Sequence, residues 1–323
     1  MQTIAVAGGL GDVGRTIVDE LKASGSFTVI VMTRKARQPL GEELGHCQPR
    51  NKEPEVNNAS TTVVVIDYED IEQTSQVLET YGVTTVISAM QIMTETASAA
   101  QVNLVKAAVK SDTVKRFIVS EWCVFHTEIS PAYTLREAAV EELRNTGLQW
   151  TRFAVGYFMD YYGMPHIKSH LTPVSFVVDV KNKAAAIPGT GDNVVSFIYS
   201  SDMAKFVVAA LSLSRWEETT YCYGDKATFN RIVDLAERAR GAKFDVAYDS
   251  VDRLSKGEIT ELPSHKDNYA IIPKGAFQRL SAVFATWVVT GHFDIPAENS
   301  LNVKFPEIKT RKLTDVVGMW KGH

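Results

Sequence analysis

Ala5-Val6-Ala7-Gly8-Gly9-Leu10-Gly11-Asp12-Val13-Gly14 is the stretch that decides the fold. A short apolar run, Thr3–Ala7, feeds straight into the glycines, and these lead into a helical period carried by Ile17, Val18 and Leu21. The glycines satisfy two overlapping spacings, G-x-G-x-x-G at 9, 11 and 14 and G-x-x-G-x-x-G at 8, 11 and 14. Small residues are needed there because the chain must turn sharply, bring backbone N–H groups against a pyrophosphate and pack the new helix on the sheet. The helix N-terminus then adds positive potential. A glycine string alone is weak evidence; between a strand and a helix at the start of a βαβ unit it acquires meaning. Gly8, Gly11, Asp12, Val13 and Gly14 are therefore expected to hold the phosphates of a dinucleotide.

Outward from that loop the pattern repeats. Phe27–Met32, Thr62–Ile66, Val83–Ser88, Arg116–Ser120 and Leu148–Ala154 read as further strands, apolar throughout as strands buried on both faces are. Helical periods lie between them, with Gly25, Gly82 and Gly147 as stops. Alternating β and α with right-handed crossovers predicts an α/β fold, a doubly wound parallel sheet of the NAD(P)-binding Rossmann type. Beyond Gly156 the pattern changes: Tyr157–Tyr162 is dense in aromatics, Val174–Val180, Ala184–Ile187 and Ser196–Tyr199 read as strands, and 188–192 as a tight turn. Ser201–Leu213 reads as a helix capped by Ser201 or Asp202, and Thr228–Arg240 as another. The nucleotide domain is expected over 1–155 plus about 190–213, and a smaller α/β substrate domain over about 156–189 and 214–323. Lys35–Ser60 is polar and without period; connections of that length are uncommon, and this one reads either as a flap beside the adenosine end or as a surface excursion.

The second strand ends Val31-Met32-Thr33-Arg34-Lys35. A chain that binds NAD(H) usually places Asp or Glu there, on the ribose 2′-hydroxyl. Here two cations replace the acid, and guanidinium grips phosphate in a fork. Arg34, with Thr33 and Lys35, is expected to bind a 2′-phosphate, so the predicted cofactor is NADP(H). Asp67, after the third strand, falls near the adenine or else caps the following helix; Ala89, Met90 and Gln91 pass the nicotinamide ribose with their backbone.

The chain's 323 residues are 45% hydrophobic and 22% charged, ordinary globular values, and the net charge of −4 includes no basic run that would suggest nucleic acid. Three scattered cysteines form neither a disulfide framework nor a metal site and fit a reducing, cytoplasmic compartment. The opening strand leaves no room for a signal peptide, and no apolar run approaches the ~20 residues of a membrane span.

Several segments now resemble one family. The glycine loop, the Arg34 ending, Ser120-Glu121-Trp122, Thr146–Thr151, Gly156-Tyr-Phe-Met-Asp160 and Ile187-Pro-Gly-Thr-Gly191 are similar to the NmrA-like and isoflavone-reductase-like proteins, atypical short-chain dehydrogenases, and Tyr157–Pro165 resembles their fungal branch. The resemblance covers nearly the whole chain. It implies NADPH-dependent reduction of phenylpropanoid-type or other secondary metabolites, or else nucleotide-binding regulation with little catalysis.

Two departures stand out against that family. Its reductases carry a lysine that relays a proton and holds the nicotinamide ribose; counting back eleven residues from Gly147 lands on Arg136, a side chain that essentially cannot give up its proton. Arg136 can still orient a ribose or stabilise an oxyanion. Tyr133, three residues earlier on the same helical face, is the first candidate for proton transfer, with Arg136 expected to favour its phenolate; the plain alternative pairs Arg136 with Glu137 or Glu141. Second, the family commonly has glycine after Ser-Glu-Trp, and this chain has Cys123, read as a small buried residue. Glu121 and Phe153 are expected at the cofactor's nicotinamide end, and Trp122, His126, Phe158, Tyr161 and Tyr162 at a pocket for a flat, apolar substrate. The alternative for the aromatics is core packing. Three functions stay open: an NADP(H)-dependent oxidoreductase of a small apolar or aromatic metabolite, an isomerase or cyclase with no net redox, and a redox-sensing regulator with a protein partner.

Overall fold

A computed structural model describes residues 1–34, 61–270 and 272–323. The Lys35–Ser60 connection, and with it the expected role of Lys35, lies outside the described residues. The chain opens β1 (Gln2–Ala7), α1 (Asp12–Ser24), β2 (Phe27–Arg34), β3 (Thr61–Ile66), α2 (Ile71–Thr80), β4 (Val83–Ser88), α3 (Glu95–Lys110), β5 (Arg116–Cys123), α4 (Tyr133–Arg144) and β6 (Gln149–Ala154). These strands pair in parallel in the order β6-β5-β4-β1-β2-β3. The chain reverses direction across the sheet between β1 and β4, which opens a crevice at the carboxyl ends of the strands.

Helices cover both faces of the central strands, while the edge strand β3 departs from the expected double burial and leaves Val63 and Val65 exposed. Ile4, Val6, Val29, Val31 and Ile118 pack toward α1, while Ala5, Ala7, Ile30, Met32, Phe117 and Val119 pack toward α2, α3 and α4. Gly25 closes α1 in the left-handed conformation. The fourth helix stops differently from expectation: it ends at Arg144 with Asn145 as its cap, and Gly147 plays no left-handed part.

Gly156 is the hinge between this sheet and the rest. Its φ is +76°, and a Cβ there would lie 2.1 Å from the Ser196 carbonyl oxygen, so no other residue fits. Beyond it come β7 (Tyr157–Phe158), β8 (Val178–Asp179), β9 (Ala184–Pro188), β10 (Val195–Ile198), α5 (Ser200–Ala210), β11 (Thr219–Tyr221), β12 (Asp225–Ala227), α6 (Phe229–Arg240), β13 (Asp245–Asp249) and α7 (Val251–Ser255). Short helices α8 (His265–Asn268), α10 (Leu301–Lys304) and α11 (Leu313–Gly318) flank the long α9 (Lys274–Val289). β12-β10-β7 and β13-β9-β8 form two small sheets around a core that includes Tyr157, Phe197, Phe229, Trp287 and Phe293.

Three expectations need correction. The run 174–180 yields only a two-residue strand, because Phe176 turns into an aromatic cluster instead of pairing. β11 adds a seventh parallel strand to the large sheet beside β6, too short to show in the hydrophobic pattern. Tyr199 occupies the cap position of α5 without a capping bond, its hydroxyl donating to the Lys168 carbonyl; the buried Asp202 accepts instead from Lys205 Nζ and the Arg311 backbone. Among the described residues no helix is long and apolar enough to cross a membrane.

Candidate cofactor and substrate site

The crevice at the β1–β4 reversal begins with the glycine loop. Gly8 N–H donates to the Met32 carbonyl at 3.0 Å and Gly11 N–H to the Gly8 carbonyl at 2.9 Å, curling the loop on itself. Gly14 makes that curl possible: a Cβ there would meet the Gly8 oxygen at 2.2 Å. Gly11 stands at the N-cap with no side-chain bond, and the first intrahelical donor is Arg15 N–H. The N–H groups of Asp12, Val13 and Gly14 thus face the crevice mouth unpaired by the helix, the arrangement that receives an anion. With no side chain at Gly8, Gly11 or Gly14 to fill the turn, the residues present suit a pyrophosphate. The Asp12 carboxylate is turned away, accepting from Thr172 N–H at 2.7 Å. Ala89 and Met90 abut the loop, with the Ala89 oxygen 2.8 Å from where a Gly8 Cβ would stand, while Gln91 is exposed.

At the adenosine end, half-buried Thr33 and exposed Arg34 close β2, with Arg34 in register with Ile66. Asp67 is exposed and accepts from Glu69 N–H at 3.0 Å. It does not cap α2; Asp70 does, accepting from Gln73 N–H.

At the other end, β5 breaks its register with β6 between Val119 and Cys123, and the irregularity re-aims several side chains. Trp122 sits at φ +52°, a left-handed conformation that costs a bulky residue on the order of 1–3 kcal/mol. Two contacts hold it there: Nε1–H donates to the Ser88 carbonyl at 2.9 Å, and the indole stacks on Phe153 at 5.6 Å. Ser120 Oγ donates to the Met90 carbonyl at 2.7 Å, locking the loop after β4 to β5.

Arg136 reaches across from α4 to this strand end. Its Nη1 donates to the Ser120 and Glu121 carbonyls at 3.2 Å each and lies 3.4 Å from Glu121 Oε1. The expected pairing with Glu137 or Glu141 is replaced by this one, since Glu137 pairs with Arg152. Among the described residues no hydrogen bond joins Tyr133, half-buried at the start of α4, to Arg136, so the expected couple is not formed. Glu121 is 3% exposed and, among the described residues, its Oε2 has no partner. Burial pushes its carboxyl up to about 7, and the charges of Arg136 and Arg152 pull back only part of the way. The long 3.4 Å pair explains why burial wins.

A chain of rings leads from the segment after β7 to the loop after β5. Tyr161 meets Phe176 at 5.7 Å, Phe176 meets Phe284 at 5.8 Å, and Phe284 meets His126 at 6.3 Å. His126 is buried against Trp287 and bonded through Nδ1 to Ser130 Oγ at 2.6 Å. Burial first, then the Arg136 and His292 charges, drive its pKa down to about 3, so it stays neutral near pH 7. Cys123 is half-buried where a fully buried residue was expected, and desolvation pushes its thiol up to about 12. Phe158 packs with Trp122, Phe153 and Leu171. Tyr162 goes elsewhere: its ring is in the distal core against Phe197, and its carbonyl accepts from Trp320.

The chain matches the NmrA-like family over residues 1–316. An oxidoreductase of Botryotinia fuckeliana, BOA1, is 33% identical, with 95% of this chain and 96% of that protein aligned. The chain belongs to the NmrA-like family. The oxidoreductase swnN of Metarhizium robertsii is 29% identical over 98% of this chain and 96% of its own length. Among solved structures, leucoanthocyanidin reductase from Vitis vinifera bound to NADPH superposes with a TM-score of 0.73 at 15% identity, covering 99% of each chain, which is likeness of fold.

This NmrA-like site contains residues that the sequence reading missed. Phe176, Phe284 and Trp287 join the ring chain from beyond residue 170, where no motif flags them. Gln101 was detectable: a polar residue on the Leu104–Val105–Ala108 stripe of α3, fully buried, its Oε1 accepting from Ser88 Oγ and Ser120 N–H.

Proposed function

We propose that this NmrA-like chain is an NADP(H)-dependent oxidoreductase of a small, largely apolar or aromatic metabolite, of the kind handled in secondary-metabolite biosynthesis. The observation that carries the reading is the self-curled glycine cradle at an uncapped helix N-terminus, with Arg34 where a carboxylate would select NAD(H). When bound, NADPH supplies the hydride. Backbone N–H groups of 12–14 hold its pyrophosphate, Arg34 forks onto its 2′-phosphate, and the Trp122–Phe153 stack closes off the nicotinamide end.

Arg136 orients and polarises; it does not relay a proton, because guanidinium keeps its proton and Nη1 is already committed to two carbonyls. The rings of Tyr161, Phe176, Phe284 and His126 offer apolar faces to a flat substrate and exclude water. The fixed guanidinium also favours a second reading, isomerisation or ring closure with the cofactor bound but not consumed. Incubating the protein with NADPH and a panel of aromatic and alkaloid-like carbonyls and imines, following product and NADPH absorbance together, separates them. Equal loss of NADPH and gain of product supports the reductase; product without loss of NADPH supports the second reading and overturns the first.

A further inference from the structure

Tyr68 is a buried phenol that the cofactor reading leaves unused. Its ring is 5% exposed and packs with Ile66, Leu78 and Leu104 between the sheet and the α2–α3 layer. Its backbone carbonyl accepts from Asn103 Nδ2 at 2.9 Å, which fixes the residue in place. The hydroxyl is buried and, among the described residues, has no hydrogen-bond partner. A buried polar group left unpaired is costly and asks what satisfies it.

The neighbourhood narrows the answer. Arg34 is in register with Ile66, two residues before Tyr68. Along β2, Ile30 and Met32 face the same layer as Ile66 and Tyr68, so alternation puts Arg34 on that face too. The guanidinium charge is felt at the phenol, easing the pKa rise that burial imposes; the rise still keeps the phenol protonated and a donor. Guanidinium only donates. The two carboxylates adjacent in sequence, Asp67 and Glu69, are both exposed, and Asp67 accepts from the Glu69 N–H. Two donors on one face, Arg34 at the end of β2 and Tyr68 in the turn just after β3, with no acceptor bonded to the phenol among the described residues, are suited to an anion between them.

We infer that the Tyr68 hydroxyl is a second ligand, beside Arg34, for the 2′-phosphate of NADP(H). This rests on the cofactor reading above and adds a specificity residue to it. A hydrogen bond from a neutral donor to a phosphate oxygen is charge-assisted, and its loss corresponds to roughly tenfold or more in affinity. NADH has no 2′-phosphate and should not notice the change.

The test is direct titration of NADPH and of NADH into wild type, Tyr68→Phe and Arg34→Ala, by nucleotide fluorescence. Tyr68→Phe is expected to weaken NADPH about tenfold and NADH less than about twofold. The cofactor-free melting temperature should not fall, because the variant removes an unpaired polar atom and keeps the ring. An unchanged NADPH affinity overturns the inference, as does equal weakening of both nucleotides, which would put the hydroxyl on the adenine or in packing. Arg34→Ala reports separately on the parent reading: if it leaves the NADPH preference intact, the phosphate is not beside Arg34. Binding of neither nucleotide by wild type overturns both.

Discussion

Glu121→Gln should flatten the pH dependence of this protein's stability. The wild-type carboxyl is buried at the end of β5, and burial raises its pKa from 4.5 to about 7. Between those values the folded state binds more protons than the unfolded chain, so stability falls as pH rises. The sign is opposite to that of a carboxylate stabilised by an ion pair: the contribution is fully present below the unfolded pKa and is lost as pH climbs through the folded one. At about 1.4 kcal/mol per pH unit, the loss between pH 5 and pH 8 comes to roughly 2–3 kcal/mol. Gln keeps the shape, does not titrate, and can still accept from Arg136. Urea unfolding of both proteins at pH 5, 6, 7 and 8 should therefore show the wild type losing about 2–3 kcal/mol relative to the variant across that range. Parallel curves, or a wild type that gains on the variant as pH rises, would refute the reasoning and mean that Arg136 outweighs burial.

Gly14→Ala pushes a methyl to within 2.2 Å of the Gly8 oxygen, so the loop must open; about 1–3 kcal/mol of stability and at least about tenfold in NADPH affinity should be lost, read by melting and titration. Arg136→Met strips Glu121 of its nearest cation and should cost about 3 kcal/mol at pH 8, most of it recovered in the double variant with Glu121→Gln; additive losses in denaturation would contradict the pairing. Asp160→Ala removes an acceptor that serves Ser169 Oγ and both donors of Ser200, and should cost about 3 kcal/mol or more by urea unfolding.

What was legible in the chain follows from how local the determinant is. The β1–α1 turn is written in consecutive residues, because the close approach of Gly14 to Gly8 is a constraint within one loop. The apolar runs of β1 to β6 and the left-handed stops at Gly25 and Gly241 are equally local. The placement of the aromatics was only half legible. Tyr161 meets Phe176, but Tyr162, its neighbour, turns into the distal core, since the two lie on a 3-10 turn over Met159–Tyr162, where successive side chains point about 120° apart. Phe176 and Phe284 arrive from segments 108 residues apart in sequence, and no pattern in either announces the meeting. Arg136 was recognised by counting but its partner was not: helix spacing suggests Glu137 or Glu141, whereas the tertiary fold offers two carbonyls and a buried carboxyl on β5.

The central claim is that the glycine cradle and Arg34 together hold NADP(H). Isothermal titration of the purified protein with NADPH and with NADH, repeated on Arg34→Ala, tests it most directly. The account predicts tight NADPH binding, at least about tenfold weaker NADH binding, and loss of that preference in the variant. Binding of neither nucleotide, or a preference for NADH, would contradict it.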